Sequence, residues 1–274
     1  MPPAPLLGVQ RTLFLPLIVR AQAPALCPLM DPGDAQAARV LEASGENPLD
    51  YPMDSTTVVN ILWRTQLIRE IGSDFFSRYP RAQGVNLGAG LADYFQWLDN
   101  GRNRWLDVDL PDVVDWRQSL LPAPPARCQT RASDFSQPGW WQRLGLPPQH
   151  HPQPLLIVTE GVLMYMQPTQ VKALLQEIGN HAPEGSELVC DFISPMGIGH
   201  TVPANHHGQD QAPFSWGAHN GQEIASLHPR LELLAQHSVS EAWGWGAGWL
   251  DMFLTPLTGG PLYGVAHLKV SDDL

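Results

Sequence analysis

Five residues whose type and spacing suit the handling of a nucleoside sit at the ends of short apolar runs. VNLGAGL carries Gly88 and Gly90, WLDVDLP carries Asp109, RASDF carries Asp134 and PLLIVTEG carries Glu160. At the carboxyl ends of parallel strands, such positions open on the crevice where doubly wound folds bind ligands. The two glycines let backbone approach a ligand closely. Asp109, about 20 residues after the glycine turn, has the spacing of a carboxylate that accepts from the two hydroxyls of a ribose. Asp134 suits an adenine amino group. Glu160 ends a strongly apolar run, an expensive place for a charge without a partner.

The glycine turn also discriminates between cofactors. In a dinucleotide site, GxGxxG places a third glycine where the helix N-terminus meets a pyrophosphate. Here that position is Asp93, whose carboxylate would repel a pyrophosphate, so the pattern favours S-adenosylmethionine, a cofactor without phosphates. Each residue keeps a structural alternative. Gly88 and Gly90 also suit a tight strand-to-helix turn, Asp109 a cap on the next helix, and Asp134 a cap on the helix containing Trp140 and Trp141.

The elements that must position these residues follow from the pattern of the chain. From residue 84 onward GVNL, RWLDVD, ARCQTR, PLLIVTE and ELVCDFI alternate with helical stretches, and LELLAQHSVSE and LYGVAHLKV add two more strands. That alternation predicts α/β architecture, a mostly parallel seven-stranded sheet with helices on both faces. Before it, Val58, Ile61, Leu62, Leu67, Ile68, Ile71 and Phe75 recur at helical spacing between a cap at Ser55 or Thr56 and Pro80. The expected organisation is one domain over 1–274: a helical cap over 1–83 and a Rossmann-like core over 84–274. A Gly-, Pro- and His-rich insertion at 194–230 is expected on the substrate side.

Composition narrows the partners. A chain of 274 residues with 43% hydrophobic and 16% charged residues can bury one substantial core. A net charge of −11 with scattered basic residues offers no cationic stripe, so nucleic acid is not an expected partner. Cys27, Cys128 and Cys190 form no CxxC pair, which speaks against a disulfide framework or structural zinc. The apolar TLFLPLIV after Arg11, with AQA at 21 to 23, imitates a signal peptide, but Pro16 and Arg20 break the pattern. The expected location is the cytoplasm, without a membrane partner. His200, His206 and His207 share a loop but have no carboxylate or cysteine at ligand spacing, so no metal is expected.

Taken together, VNLGAGL, WLDVDLPDVVDWRQSLLP, SDFSQPGWWQRL, PLLIVTEGVLMYMQPTQVKALLQEI and FSWG resemble the leucine carboxyl methyltransferase superfamily, and within it a bacterial branch of polyketide O-methyltransferases. The resemblance runs in order over about 50 to 240. It implies a class I, Rossmann-like methyltransferase whose last strand is antiparallel. It implies Gly88 and Gly90 against the methionine part, Asp109 on the ribose, Asp134 with Phe135 at the adenine, and Glu160 on the methionine amino group. It further points to Arg64 in LWRTQ and Arg20 in IVRAQ for the methionine carboxylate, and to Tyr165 near the reacting centre. One departure stands out: the family's GLDTR continuation is replaced by Gly90, Leu91, Ala92, Asp93 and Tyr94. Asp93 is a candidate to replace the lost carboxylate, and the missing arginine has no evident substitute.

Methyl transfer from a sulfonium to oxygen is an in-line displacement in which the protein mainly aligns and desolvates. A carboxylate acceptor arrives ionised, whereas a phenol needs a base, for which His219 in SWGAHNG is the candidate. Trp216, Trp243, Trp245 and Trp249 are candidates for the wall of an aromatic pocket, with Trp216, inside FSWG, the first choice. The sequence therefore predicts an S-adenosylmethionine-dependent O-methyltransferase acting on a carboxylate or phenolic oxygen of a small, polyketide-like metabolite. The alternatives are a methyltransferase-like binding or regulatory protein without turnover and, below it, an NAD-dependent oxidoreductase. Oligomeric state is left open.

Overall fold

A computed structural model describes residues 6–51, 53–203, 211–243 and 258–272. Three helices precede the first strand: α1 (Phe14–Leu26), α2 (Ala37–Ser44) and α3 (Ser55–Arg78). The apolar run that imitates a signal peptide lies within α1 and the turn before it. Leu17, Ile18 and Val19 are fully buried and pack with Val58, Ile61 and Leu62 of α3. The cap of α3 differs from expectation: the Asp54 carboxylate, one residue before Ser55, accepts from Thr57 N at 3.0 Å. A carboxylate can serve the amide of N3 as well as a hydroxyl does. Among the described residues no helix is long and apolar enough to cross a membrane.

The sheet contains all seven expected strands. They are β1 (Gln83–Leu87), β2 (Arg104–Asp109), β3 (Cys128–Ala132), β4 (Leu155–Thr159) and β5 (Glu187–Ile193), and, near the end of the chain, Leu231–Ser238 and Tyr263–Val270. Between β5 and these last two, the 194–230 segment holds a hairpin of β6 (Thr201–Pro203) and β7 (Gln211–Pro213), so the last two strands are β8 and β9. The order is β3-β2-β1-β4-β5-β9-β8, with β9 antiparallel to both neighbours. The class I, Rossmann-like architecture expected from the sequence is therefore the fold.

Alternate residues of the central strands feed two cores, as the period of two requires. Val85, Leu87, Leu106, Val108, Leu155 and Ile157 face α6 (Trp140–Arg143) and α7 (Pro168–His181). Trp105, Leu156, Val158 and Val189 face α3 and α4 (Phe95–Leu98). Among the described residues the remaining α-helices are α5 (Pro111–Leu120) after β2 and α8 (Gly221–Ala225) before β8. The helix expected after the glycine turn is only the single turn of α4. Asp134 does not cap α6. The Glu177 carboxylate does, accepting from Gly139 N at 2.9 Å and Trp141 N at 2.8 Å.

Candidate active site

The carboxyl ends of β1, β2, β3 and β4 open on a cavity of about 760 Å³, closed from above by α1, α3 and the 3-10 helix Gly8–Leu13. That volume lies within the roughly 300–1,000 Å³ typical of small-molecule and cofactor sites. Gly88, Gly90, Asp109, Asp134, Phe135, Glu160, Arg20, Arg64 and Tyr165 all line it, although they come from four strand ends and two N-terminal helices.

The glycine turn is shaped by what surrounds it. Gly88 has φ +74°, and a Cβ there would stand 2.3 Å from Val162 Cγ2, so both the conformation and the space require glycine. Gly88 N and Ala89 N donate to Val108 O at 2.8 and 3.1 Å. Gly90 N donates to Asp109 Oδ2 at 2.8 Å, while Leu110 N donates to Asp109 Oδ1 at 2.8 Å. Burial raises the Asp109 carboxyl above its ordinary range despite these two amides. Each oxygen keeps a lone pair free for hydroxyls. Asp134 accepts from Ser136 N at 3.0 Å and Ser136 Oγ at 2.6 Å through Oδ1 alone.

At the opposite wall a buried ionic cluster joins α3 to the sheet. Arg64 Nε lies 2.7 Å from Glu160 Oε1, and Arg64 Nη1 lies 3.0 Å from Asp191 Oδ2 and 2.8 Å from Tyr263 Oη. Tyr94 Oη donates to Glu160 Oε2 at 2.6 Å, and Gly161 N donates to Asp191 Oδ1 at 2.7 Å. Burial opposes the charge on Glu160, but Arg64, Arg20 and the Tyr94 hydroxyl outweigh it and hold the carboxyl below its usual range. Arg20 is paired through Nε with Asp34 at 2.9 Å and donates through Nη2 to Leu91 O at 3.4 Å. Among the described residues, Arg64 Nη2 and Arg20 Nη1 have no protein acceptor. Two buried guanidiniums with unused donors, facing carboxylates at three strand ends, fit the zwitterionic and ribosyl parts of S-adenosylmethionine.

The loop departure is also explained. Asp93 lies two residues before α4, its Oδ1 accepting from Gln96 N at 3.3 Å, and it faces a second cavity of about 610 Å³ behind the loop. It therefore does not replace the lost carboxylate at the first cavity. Burial and the Asp107 charge push its carboxyl up. The altered loop is braced from behind by Arg117 of α5. Its Nη1 donates to Gly90 O at 2.7 Å, Ala92 O at 2.8 Å and Ala89 O at 3.3 Å, while Nη2 pairs with Asp107 Oδ2 at 2.6 Å.

Two expected residues stand outside the cavity. Ser215 N and Trp216 N both donate to Met164 O, fixing the FSWG backbone so that the Trp216 ring packs on the buried core; Phe214 supplies the cavity ring instead, 5.3 Å from Tyr165. His219 is drawn away from the first cavity, its Nδ1 at 2.9 Å from Thr258 O and its N–H donating to Glu223 Oε2 at 2.7 Å. It is therefore not placed to deprotonate an acceptor. Tyr165 is in the wall, its hydroxyl pushed up by burial. Trp243 stands at the rim, 47% exposed. Trp245, Trp249, His206 and His207 lie outside the described residues. Among the described residues no group of three His, Cys, Asp or Glu is arranged to hold a metal.

Sequence reasoning missed Tyr94, Arg117, Asp191 and Tyr263. Asp191 left a signal, a lone carboxylate inside the apolar ELVCDFI strand, which burial makes costly without a cation. The others left none that a single sequence reveals.

Comparison with known proteins gives the chain a family and its fold neighbours. The sequence model described as Leucine carboxyl methyltransferase matches residues 16–179. The tetracenomycin polyketide synthesis O-methyltransferase of Streptomyces glaucescens is 26% identical over 248 residues, 86% of this chain and 85% of the relative. An S-adenosyl-L-methionine-dependent methyltransferase of Gibberella zeae is 25% identical over 272 residues, covering 89% of each. A solved protein of Thermobifida fusca shares the fold with TM-score 0.54 and 15% identity, covering 93% of this chain and 95% of its own.

Proposed function

The chain belongs to the leucine carboxyl methyltransferase family and is an S-adenosylmethionine-dependent methyltransferase; from that premise we propose that it transfers the methyl group to a carboxylate or phenolic oxygen of a small, polyketide-like metabolite. The observation that carries this reading is the division of one cavity into two unlike halves. Carboxylates and guanidiniums gather at the strand ends, while Leu13, Met164, Trp243 and the paired rings of Tyr165 and Phe214 give the same cavity apolar and aromatic lining. A flat apolar acceptor gains from burial against such a wall.

When bound, the cofactor supplies an electrophilic methyl on a sulfonium. In our reading Arg20 and Arg64 direct their unused N–H groups to the methionine carboxylate, Glu160 accepts from its ammonium, Asp109 accepts from the ribose hydroxyls, and Asp134 with Phe135 holds the adenine. Tyr165 walls the reacting region. Catalysis then rests on alignment and exclusion of water by α1 and α3. The altered glycine loop, which raised the alternative of a protein without turnover, retains support through Arg117 and Tyr94.

The test is incubation of the protein with S-adenosylmethionine and a panel of aromatic acids, phenols, amines and thiols, followed by mass spectrometry. A product heavier by one methylene unit, released by mild alkali if an ester and resistant if an aryl ether, supports the reading and decides between the two oxygens. Methylation confined to nitrogen or sulfur acceptors would overturn it.

A further inference from the structure

We propose that Asn60 is the specificity-determining residue that holds an oxygen of the acceptor, so that the site selects aromatic acceptors bearing an oxygen substituent within reach of the α3 face. The assignment rests on the acceptor reading above and names the group that recognises the acceptor. Asn60 lines the cavity, yet its Oδ1 is buried without a hydrogen-bond partner, and among the described residues nothing in the protein pairs with its Nδ2. Buried polar groups are normally satisfied, and a side-chain amide with both ends unused in a cavity wall is unusual. Its neighbours in the wall differ. Arg64 is engaged by Glu160 and Asp191, and the Thr57 hydroxyl donates to Asp54 Oδ2 at 2.7 Å.

Position separates Asn60 from the cofactor groups. It lies four residues, about 6 Å, before Arg64 on the same face of α3. The 3-10 helix Val239–Trp243 packs on α3 and brings Trp243 to the open rim. Moving from Arg64 toward the start of α3 leads from the buried ionic cluster, past Asn60, to the half-buried Thr57 and the exposed Thr56, which also line the cavity. A group there meets what enters after the cofactor. Nδ2, the end of the amide that is not closed off, offers two donors, which suits the oxygen of a phenol, a carbonyl or a carboxylate.

Three probes of nearly one shape test this: 2-naphthol, 2-naphthoate and 2-methylnaphthalene, measured by equilibrium dialysis against protein saturated with S-adenosylhomocysteine. The wild type is expected to hold 2-naphthol about tenfold or more tighter than 2-methylnaphthalene. Asn60→Leu should reduce that ratio to within about twofold, with S-adenosylhomocysteine affinity within about twofold of wild type. Asn60→Asp, of equal size, should keep 2-naphthol and lose 2-naphthoate by about tenfold or more, because two carboxylates then face each other. If Asn60→Leu does not fold, as circular dichroism would show, the Asn60→Asp comparison decides. A naphthol preference that survives in Asn60→Leu, or a loss of S-adenosylhomocysteine from either folded variant, overturns the proposal; the second outcome hands Asn60 to the cofactor. Failure of all three probes on wild-type protein that still binds S-adenosylhomocysteine would instead remove the aromatic-acceptor reading and the assignment with it.

Discussion

Arg64 Nε and Glu160 Oε1 stand 2.7 Å apart across 96 residues of sequence, both nearly buried. This contact fastens the longest N-terminal helix to the end of β4 and so closes the cavity over the sheet. A buried pair of this kind adds little net stability when intact but is costly to halve, because the surviving charge is left without compensation.

Arg64→Met should therefore lower unfolding free energy by about 3–5 kcal/mol, read from urea denaturation, since it strands Glu160 and Asp191 together. Tyr263→Phe, which removes one hydroxyl from the same cluster, should cost only about 1 kcal/mol. Equal losses in the two variants would show that the cluster is not organised around Arg64.

Arg117→Met should weaken S-adenosylhomocysteine binding by about tenfold or more, because Gly90 O and Ala92 O lose a charged donor. Asp93→Asn, on the far side of the loop, should leave that affinity within about twofold. Calorimetric titration checks both. The reverse pattern would mean that the loop is held through its own carboxylate.

Gly88→Ala should abolish measurable cofactor binding, since a left-handed backbone and overlap with Val162 Cγ2 coincide there. Adding Val162→Ala should recover part of the affinity and no more. Full recovery would show that the φ of +74° is not required.

A pH dependence is expected far from the site. Glu187 is buried, which opposes its charge, but His267 Nε2 at 2.8 Å and the Arg78 guanidinium outweigh burial and lower its carboxyl below the ordinary 4.5. A carboxylate depressed in the folded state stabilises above its unfolded value, and that stability is lost as pH falls through the folded value. Glu187→Gln should thus reduce the melting temperature at pH 7, and the gap from wild type should narrow as the pH is lowered through and below 4.5. An unchanging gap would place the effect in packing rather than in the charge.

The sheet was legible because period-two burial and glycine turns are local properties of the chain, so each strand announced itself. The strand-end carboxylates were legible for a related reason: spacing along the sequence becomes spacing along the crevice. Arg117 and Tyr94 were not, since what matters about each is a partner outside its own element, three loop carbonyls for one and Glu160 for the other. The misplacement of Trp216 and His219 has the same origin. Both belong to a loop whose direction is set by contacts with Met164 and Thr258, and neither contact is encoded in the neighbouring residues.

The single turn of α4 has a consequence for how the cofactor is held. Aligned peptide dipoles form a fixed partial charge that ignores the acidity of the solution, but one turn of helix sums few of them. Recognition in this cavity is left to the guanidiniums of α1 and α3 and to carboxylates, of which burial raises Asp109 while its partners hold Glu160 down. Cofactor affinity should therefore hang on single side chains, each removable by substitution, rather than on a backbone field that no substitution removes.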